Sequence, residues 1–499
     1  MKKKILFWID GDTTSFSIPY YLKEKLDFEA YAIIDTPNKP KKFYKEQNFI
    51  NFNKFWFYHD FFDFSNLKPD IDYLRNFEKK FKINLWELAV NERTFHRFNH
   101  FYKFSNEEIL KILETECKKF EEIINEIQPD FYISLDPNFH HDELLLKLLQ
   151  NYGTNTMIIN QPNFKKTIIS KITRYMDECN LESISDSKRS FSELQEELKK
   201  YDIFKHGIKQ RKFFKTSKID LLKSAFYYLF KYDNSNLKTH YTYFGRTKFK
   251  VLFYNLKSQF LKSKRQKFID NNLEKNFNQN ENFIYFPLSV DEERNILLSS
   301  PLYTNQIEVI RSIAKSTPPG YTIYVKENPS QSIRYWRSIE EYQNIQNIPN
   351  VKLLHPSVSN EKLNKNCSLL ISISGSAGFE AAFYGKSSII FADLGYEILS
   401  SVTKINSFSE LSSTIRNSIE KENNPSDLDK YMKLLDREGV DFDIAQIQMN
   451  YQKLFFNSGW IADLEIPHEK MKLFLNENKS LFTELIEKLY GKINSKMTS

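Results

Sequence analysis

The feature that most constrains the fold of this chain is the stretch 366–395, in which two apolar runs flank a turn of small residues. Residues 367–373 form the first run and residues 387–392 the second, with a short helical sequence between them. Two parallel strands need a crossover connection of this kind, which is usually a helix. The stretch therefore predicts an α/β fold built on a parallel sheet.

The turn between these two strands has the composition of a phosphate-binding loop. Its small residues are Ser374, Gly375, Ser376 and Gly378. Small side chains let an anion approach the N–H groups at the start of the following helix. Glu380 lies too far inside that helix to meet a phosphate, but it is able to accept hydrogen bonds from a ribose. An ordinary turn that binds nothing has the same composition, so the prediction depends on the neighbouring strands.

Two neighbouring strand predictions, 321–326 and 351–354, also end in polar residues. The residues at these ends are Lys326, Glu327, Asn328, Pro329 and His355. Parallel strands bring their carboxyl ends to one edge of a sheet, where open α/β sheets bind ligands. We therefore expect these residues and the small-residue turn to form one anion site, in which Lys326 pairs with phosphate.

The amino-terminal part predicts a second doubly wound domain. Strands expected over 4–9, 30–34, 131–135 and 156–159 alternate with helical sequences, of which 107–127 has the clearest apolar periodicity.

Polar residues follow two of these strands. Asp12 comes after the first, and Asp136 and His141 come after 131–135. We interpret them as candidate bases. His140 and His141 are adjacent and point in different directions on a helix or strand, so we expect no metal site there. Asp142 is expected to cap the helix that follows.

Residues 205–275 are strongly basic, with 18 lysine and arginine residues against four aspartate and glutamate residues. Two apolar stretches, 221–230 and 251–261, lie among these lysines. The pattern predicts a helical insertion that touches an anionic membrane surface or a polyanionic acceptor. A linker packed on the sheet, with its lysines in water, is the alternative. No nucleic-acid-binding module is recognisable, so we expect no nucleic acid partner.

The length of 499 residues predicts more than one domain. We expect an amino-terminal α/β domain over 1–204, a basic insertion over 205–280, a second α/β domain over 281–430 and a helical tail over 431–499. The apolar run at the amino terminus is too short for a signal peptide, and the spacing of the three cysteines matches no metal site or disulfide framework. These features predict a cytoplasmic protein, with the basic insertion suggesting the inner face of the plasma membrane.

Three motifs resemble those of bacterial capsule and surface polysaccharide biosynthesis proteins, a family that includes the β-Kdo transferases of capsule assembly. They are FPLSVDEER at 286–294, which ends at Arg294, YTIYVKENPSQ at 321–331 and SISGSAGFEAAFYGKSSIIF at 372–391. NLWELAVNERTFHRFN at 84–99, with Glu92 and Arg93, and the pair Gln161 and Pro162 are similar to its amino-terminal features. The family usually has His-Pro where this chain has Asn328 and Pro329.

The resemblance implies a GT-B glycosyltransferase, with two Rossmann-like domains facing across a cleft. It implies transfer of a sugar from a nucleotide-activated donor, CMP- or UDP-linked, to a growing glycan or glycolipid acceptor. No metal and no other cofactor is implied. The donor would bind at the carboxy-terminal strand ends, and the base would be Asp12, Asp136, His141 or Glu92, in falling order.

Two alternatives stay open at this point. A GT-B-fold enzyme of other chemistry, such as a UDP-N-acetylglucosamine 2-epimerase or a glycerophosphate-type transferase, has the same plan. A non-catalytic partner in capsule assembly, which holds membrane or polymer through the basic segment, would need no nucleotide.

Overall fold

The structure is a computed structural model that describes residues 2–11, 13–65, 68–161, 166–185, 189–200, 218–230, 232, 234–455 and 464–498. Two of the predicted site residues, Asp12 and Pro162, lie outside these ranges. The first part of the basic segment, up to residue 217, lies outside them as well.

Strands and helices alternate along the chain, as the apolar runs predicted. The strands are β1 (Lys3–Ile9), β2 (Phe28–Ile34), β3 (Lys54–Phe57), β4 (Phe131–Leu135), β5 (Asn155–Asn160), β6 (Ile168–Ser170), β7 (Phe283–Pro287), β8 (Thr322–Lys326), β9 (Val351–Leu354), β10 (Leu369–Ser372), β11 (Ser388–Ile390) and β12 (Val402–Lys404). The helices of the first half are α1 (Thr13–Leu22), α2 (Asn38–Glu46), α3 (Ile71–Phe81), α4 (Leu85–Val90), α5 (Asn106–Ile127), α6 (His140–Asn151), α7 (Phe191–Lys200), α8 (Lys218–Phe230), α9 (Asn236–Thr239) and α10 (Lys248–Asn272). Those of the second half are α11 (Arg294–Leu297), α12 (Gln306–Ser316), α13 (Ile339–Gln346), α14 (Asn360–Asn366), α15 (Ala377–Ala382), α16 (Leu411–Glu420), α17 (Pro425–Glu438), α18 (Ile444–Phe455) and α19 (His468–Thr498).

The chain divides into two compact units. Unit 1 comprises Met1–Asp177, Ile203–Leu252 and Glu438–Ser499. Unit 2 comprises Glu178–Asp202 and Phe253–Arg437. The units thus share the basic segment between them, and the division into four consecutive domains stays a prediction.

Unit 1 contains a six-stranded sheet in the order β3-β2-β1-β4-β5-β6. Strands β1 to β5 pair in parallel, and β6 pairs antiparallel with β5. The chain leaves β1 for β2 on one side and later returns to β4 on the other side, so β1 and β4 flank a topological switch point. Ligands of open α/β sheets bind outside the carboxyl ends of the strands at such a point.

Both faces of this sheet are buried, which explains the nearly continuous apolar runs of its strands. Successive side chains of β1 point to opposite faces: Ile5 and Phe7 join one core, and Leu6 and Trp8 join the other. The carboxy-terminal helices α18 and α19 supply part of the first core. This confirms the predicted helical tail.

Unit 2 contains a six-stranded sheet in the order β12-β11-β10-β7-β8-β9, with all its pairs parallel. Here the switch point lies between β7 and β10. The face that includes Tyr285 and Tyr324 packs with Leu363 of α14 and Ala381 of α15. The polar residues of the predicted donor site follow the carboxyl ends of β8, β9 and β10.

The predicted fold class is confirmed: two doubly wound α/β sheets, helices in the described part of the basic segment, and a helical tail. Helix α1 begins at Thr13, soon after the end of β1. The Oγ atom of Ser15 accepts a hydrogen bond from the N–H of Asp10 at 3.1 Å, which ties the end of β1 to this first helical turn. Among the described helices, none is long and apolar enough to cross a bilayer.

Candidate functional site

The small-residue turn lies at the switch point of unit 2, directly after β10. Gly375 has a φ of +100°, a conformation that L side chains rarely adopt. A Cβ atom added there would meet nothing within 4 Å, so the space beside the turn is open. Ser374 is buried, yet its Oγ has no hydrogen-bond partner among the described residues. Buried hydroxyls without a partner are rare, so the Ser374 hydroxyl is a candidate contact for a polar ligand that reaches the turn.

Lys326 and Glu380 face the same part of this edge. Lys326, at the end of β8, is buried and its Nζ donates to Asn360 Oδ1, which also accepts from Tyr285 Oη at 3.2 Å. Burial raises the pKa of Glu380, while the hydrogen bond from Ser376 and the positive charge of Lys326 act in the opposite direction. Ser376 Oγ donates to Glu380 Oε1 at 2.7 Å. Lys326, Ser376 and Glu380 thus belong to one cluster.

Asn360 and Tyr285 belong to this cluster but were not found from the sequence. Asn360 is the first residue of α14, where it has no distinguishing signal, and Tyr285 lies within an apolar strand. Only the three-dimensional packing brings the two side chains to Lys326.

Gly378 serves packing within unit 2. A Cβ atom there would lie 2.9 Å from Tyr396 Oη and 3.1 Å from Ser388 Oγ. Tyr396 Oη donates to the carbonyl oxygen of Gly375 at 2.7 Å, so Gly378 leaves room for the side chain that holds the turn. Gly378 is therefore small because Tyr396 needs the space. The sequence had suggested instead that it was small to admit a ligand.

Glu327 lies in a closed network of buried groups. Its Oε2 accepts from Arg337 Nε at 3.0 Å and from Tyr342 Oη at 2.8 Å. Arg337 also pairs with Asp291, which follows β7. All four side chains are buried, and their bonds to one another identify Glu327 as part of the framework of this edge.

Asn328 and Pro329 form the local turn after β8. Asn328 Oδ1 accepts from the N–H of Ser330 at 2.9 Å and caps a 3-10 helix that Pro329 begins. Arg294 begins α11 and is half-buried.

His355 lies at the end of β9, the last strand of the sheet, so that β7 and β8 separate it from β10. Its Nδ1 is 2.6 Å from Ser357 Oγ, and its Nε2 is 3.1 Å from Asp270 Oδ1. Both ring nitrogens therefore have partners on the β9 side of the edge. Convergence of three strand ends on one edge is confirmed, but strand order separates His355 from the turn.

Asp136 lies at the switch point of unit 1. It is half-buried and lines a narrow cleft with about 10 Å³ of room, about one water molecule, together with Trp8, Asp10, Ser15 and Asp142 among others. This position, at the carboxyl ends of β1 and β4, is the one that the fold favours for a ligand.

A buried cluster of ionisable side chains lies beside this cleft. His140 Nδ1 is 3.1 Å from Glu92 Oε2, and His140 Nε2 is 3.0 Å from Glu116 Oε1. Burial alone would lower the pKa of His140, but the two carboxylates raise it to about 10. Burial in turn raises the pKa of Glu92, while its bonds to His140 outweigh this and lower it to about 2. Glu92 is therefore suited to hold His140 in place.

His141 is in the same cluster. Its Nδ1 is 3.4 Å from Tyr241 Oη, and its Nε2 is 3.3 Å from Asp142 Oδ1 and 3.6 Å from Asp35 Oδ2. Neither carboxylate contact has hydrogen-bond geometry, so Nε2 has no hydrogen-bond partner in the described part of the chain. Burial lowers the pKa of His141, but the nearby carboxylates raise it overall.

Three other residues named from the sequence have structural contacts in unit 1. Asp142 Oδ2 accepts from the N–H groups of Asn138 and Phe139, at 2.9 and 3.1 Å, which confirms its role as a cap. Arg93 Nη2 donates to the carbonyl oxygen of Asn138 at 2.5 Å. Gln161 Nε2 donates to the carbonyl oxygen of Phe442 at 2.7 Å.

Glu116, His140 and His141 could each offer one ligand atom to a metal, with these atoms within 4.8 Å of one another. The sequence did not suggest this group, because Glu116 lies on α5 and the histidines on α6. The group fits a metal poorly, since both ring nitrogens of His140 already contact carboxylates that favour its protonated form. The arrangement is that of a buried ion-pair network.

Comparisons with known structures give only weak likenesses. Thermosulfurimonas dismutans KpsC, a beta Kdo 2,7 transferase, is 12% identical with a TM-score of 0.28, over 64% of this chain and 89% of that one. UDP-GlcNAc 2-epimerase from Methanocaldococcus jannaschii is 12% identical with a TM-score of 0.24, over 88% of this chain and 100% of that one. Scores this low carry no argument about activity. No curated protein matches the sequence significantly.

The sequence match to a protein family is more informative. Residues 194–407 match the model of the family described as "Capsule polysaccharide biosynthesis protein". The matched segment contains β7 to β12 with their polar strand ends. Over residues 194–407 the chain is thus similar to the capsule polysaccharide biosynthesis protein family, which agrees with the resemblance expected from its motifs.

Proposed function

We propose that this protein is a glycosyltransferase that moves a sugar from a nucleotide-activated donor to a surface polysaccharide or glycolipid acceptor. The family match supports a role in capsule synthesis. The observation that carries the proposal is the cluster of Lys326, Ser376 and Glu380 beside the open turn of Ser374 and Gly375.

In this proposal the phosphate of the donor binds beside the turn. The Oγ of Ser374 and the charge of Lys326 would bind its oxygens, and Glu380 would accept hydrogen bonds from the ribose. As the glycosidic bond breaks, negative charge develops on the leaving phosphate while the sugar becomes oxocarbenium-like. Groups already fixed towards that charge stabilise the transition state, each by about 3–4 kcal/mol in well-studied cases.

The acceptor hydroxyl needs a base, which we propose on unit 1. Asp136 comes first, because it is half-buried and lines the cleft at the switch point. Glu92 and His141 are buried inside the ion-pair cluster, so we assign them the positioning of neighbouring groups. Asp12 stays a candidate from the sequence alone.

Thermal unfolding in the presence of CMP, UDP, GDP and CDP tests the donor site. A nucleotide at 100 times its Kd stabilises the protein by about 2.7 kcal/mol. We expect one nucleotide to raise the melting temperature of the wild type, and Glu380→Ala to abolish that rise. His355→Gln is the matched control, because His355 bonds on the β9 side of the edge and should leave the rise unchanged. An unchanged rise in Glu380→Ala would remove Glu380 from the site.

The products formed from labelled nucleotide sugars test the reaction. A transferase gives free nucleotide and labelled glycan, whereas an epimerase gives the epimeric nucleotide sugar. Loss of transfer in Asp136→Asn, with the nucleotide-dependent rise in melting temperature retained, would support Asp136 as the base. Full activity in that variant would contradict the assignment.

A further inference from the structure

Helix α10 has one face that attaches it to unit 2. Ser258 and Ile269 on this face are buried, and Ile269 joins the core of the sheet. Arg265 Nη1 donates to the carbonyl oxygens of Tyr335 and Trp336, at 3.0 and 2.9 Å. These contacts account for the position of the helix and for one of its faces only.

The opposite face of α10 exposes a stripe of large apolar side chains. Phe249, Phe253, Leu256 and Phe260 are between 70% and 82% exposed. They recur at steps of four, three and four residues, which places them on one side of a helix, about 180° from Ile269. A surface helix that only packs on its own sheet has no need of this second apolar stripe.

Lysines border the stripe along one side. Lys250, Lys257 and Lys264 are exposed and follow one another at intervals of seven residues. The sequence 248–269 contains no aspartate or glutamate. Aromatic and leucine side chains on one face, with lysines beside them, are typical of helices that lie in the interface of an anionic membrane.

Helix α8 has a similar stripe. Ile219, Leu222, Phe226 and Phe230 recur at steps of three, four and four residues, and they are between 62% and 72% exposed. A second helix of the basic segment thus repeats the apolar part of the pattern independently.

We propose that the apolar stripe of α10 docks on the surface of a bilayer that contains anionic lipids. Phe253, Leu256 and Phe260 would enter the boundary between headgroups and acyl chains, and the lysines would contact the headgroups. A symmetric contact between two copies would bring like charges together, whereas anionic headgroups neutralise them. A soluble polyanion would pair with the lysines but leave the stripe in water. The proposal does not depend on the transferase activity.

Flotation of the full chain with vesicles tests this proposal, using phosphatidylcholine with and without phosphatidylglycerol at low and high salt. We expect binding only to the phosphatidylglycerol vesicles, weakened by salt. Phe253→Ser/Leu256→Ser/Phe260→Ser should abolish it. Lys250→Gln/Lys257→Gln/Lys264→Gln should weaken it about fivefold per lysine, or on the order of 100-fold in total.

Matched controls change exposed residues elsewhere. Leu302→Ser removes an apolar side chain that is 80% exposed, and Lys42→Gln/Lys79→Gln/Lys315→Gln removes three exposed lysines. Neither should alter flotation, and unchanged melting temperatures would show that all the variants fold. Equal binding to both kinds of vesicle, or full binding by the serine variant, would overturn the proposal. If no vesicle binding is seen, two other results would also overturn the proposal. One is a dimer in sedimentation that the serine variant abolishes, and the other is binding to heparin that only the lysine variant loses.

Discussion

The carboxyl edges of the two sheets use their buried polar groups in different ways. In unit 1, His140 bonds to Glu92 and Glu116, so that the cluster satisfies its charges internally. In unit 2, the Arg337 network is closed in the same way, but the turn after β10 has a buried Ser374 hydroxyl without a described partner and open space at the neighbouring Gly375. A closed network fixes the shape of an edge, whereas an open turn leaves groups for a ligand. We therefore expect the polar residues at strand ends to divide into a framework and a candidate site, which only their contacts distinguish.

The largest effect is expected from breaking a closed network. Arg337→Met would leave Glu327 and Asp291 buried without their cation, at a cost of about 3–5 kcal/mol in the free energy of unfolding. Urea unfolding followed by tryptophan fluorescence measures this cost. Arg311→Met is the control, because Arg311 and Glu308 form an exposed pair worth less than about 1 kcal/mol. Equal costs would contradict a framework role for the Arg337 network.

The closed network of unit 1 should give a pH-dependent stability. Because the folded pKa of His140, about 10, lies above its ordinary 6.5, its contribution is complete below pH 6.5 and is lost as the pH rises through 10. We expect the wild type to lose on the order of 3 kcal/mol more than His140→Gln over this range. Urea unfolding of both proteins across the range measures the difference.

The same network predicts a loss of stability in acid. The folded pKa of Glu92, about 2, lies below its ordinary 4.5, so its contribution is lost as the pH falls from 4.5 through 2. Parallel curves for wild type and His140→Gln at both ends of the pH range would contradict the charged state of the network.

A moderate effect is expected where packing holds the open turn. Gly378→Ala would place a Cβ 2.9 Å from Tyr396 Oη and should cost about 1–2 kcal/mol. Tyr396→Phe in the same chain should recover part of this loss, because the hydroxyl that clashes is gone. Gly491→Ala, in an exposed part of α19 with open space around it, should instead stabilise by up to about 1 kcal/mol. Additive losses in the double variant would rule out the contact as the cause.

The smallest effect on stability is expected at the open turn itself. Ser374→Ala removes a hydroxyl without a described partner, so the free energy of unfolding should not change. Affinity for the nucleotide that stabilises the wild type should fall up to about tenfold in calorimetric titration. Ser372→Ala should instead lower the free energy of unfolding and leave the nucleotide affinity unchanged, because Ser372 Oγ donates to the carbonyl oxygen of Ser374 at 2.9 Å. A destabilised Ser374→Ala with unchanged affinity would make the turn part of the framework.

The sequence predicted the sheets well because their signals are local. Apolar runs of strand length and the periodicity of α5 can be recognised in the sequence even when the elements that they pack against are unknown. The turn at Ser374 was predicted for the same reason, since its small residues and the strand before it are consecutive in the chain.

The networks were not predictable, because their members are far apart in sequence. Glu116, Tyr241 and Arg337 show their roles only once folding brings them to His140, Tyr58 and Glu327. Strand order was equally hidden: His355 follows a strand near the others in sequence, yet two strands separate it from β10. Gly378 was assigned to the ligand because composition does not distinguish room for a ligand from room for a tyrosine.

Tyr396 holds the turn through its hydrogen bond to the Gly375 carbonyl, and its hydroxyl also limits the size of residue 378. We therefore expect positions 378 and 396 to evolve together. A larger residue at 378 is expected to be tolerated best where the side chain at 396 is shorter, and a shorter side chain at 396 relieves the closest of the contacts that keep residue 378 small. Correlated change at these two positions among relatives, with drift in the turn wherever both have changed, would be the inherited trace of this contact.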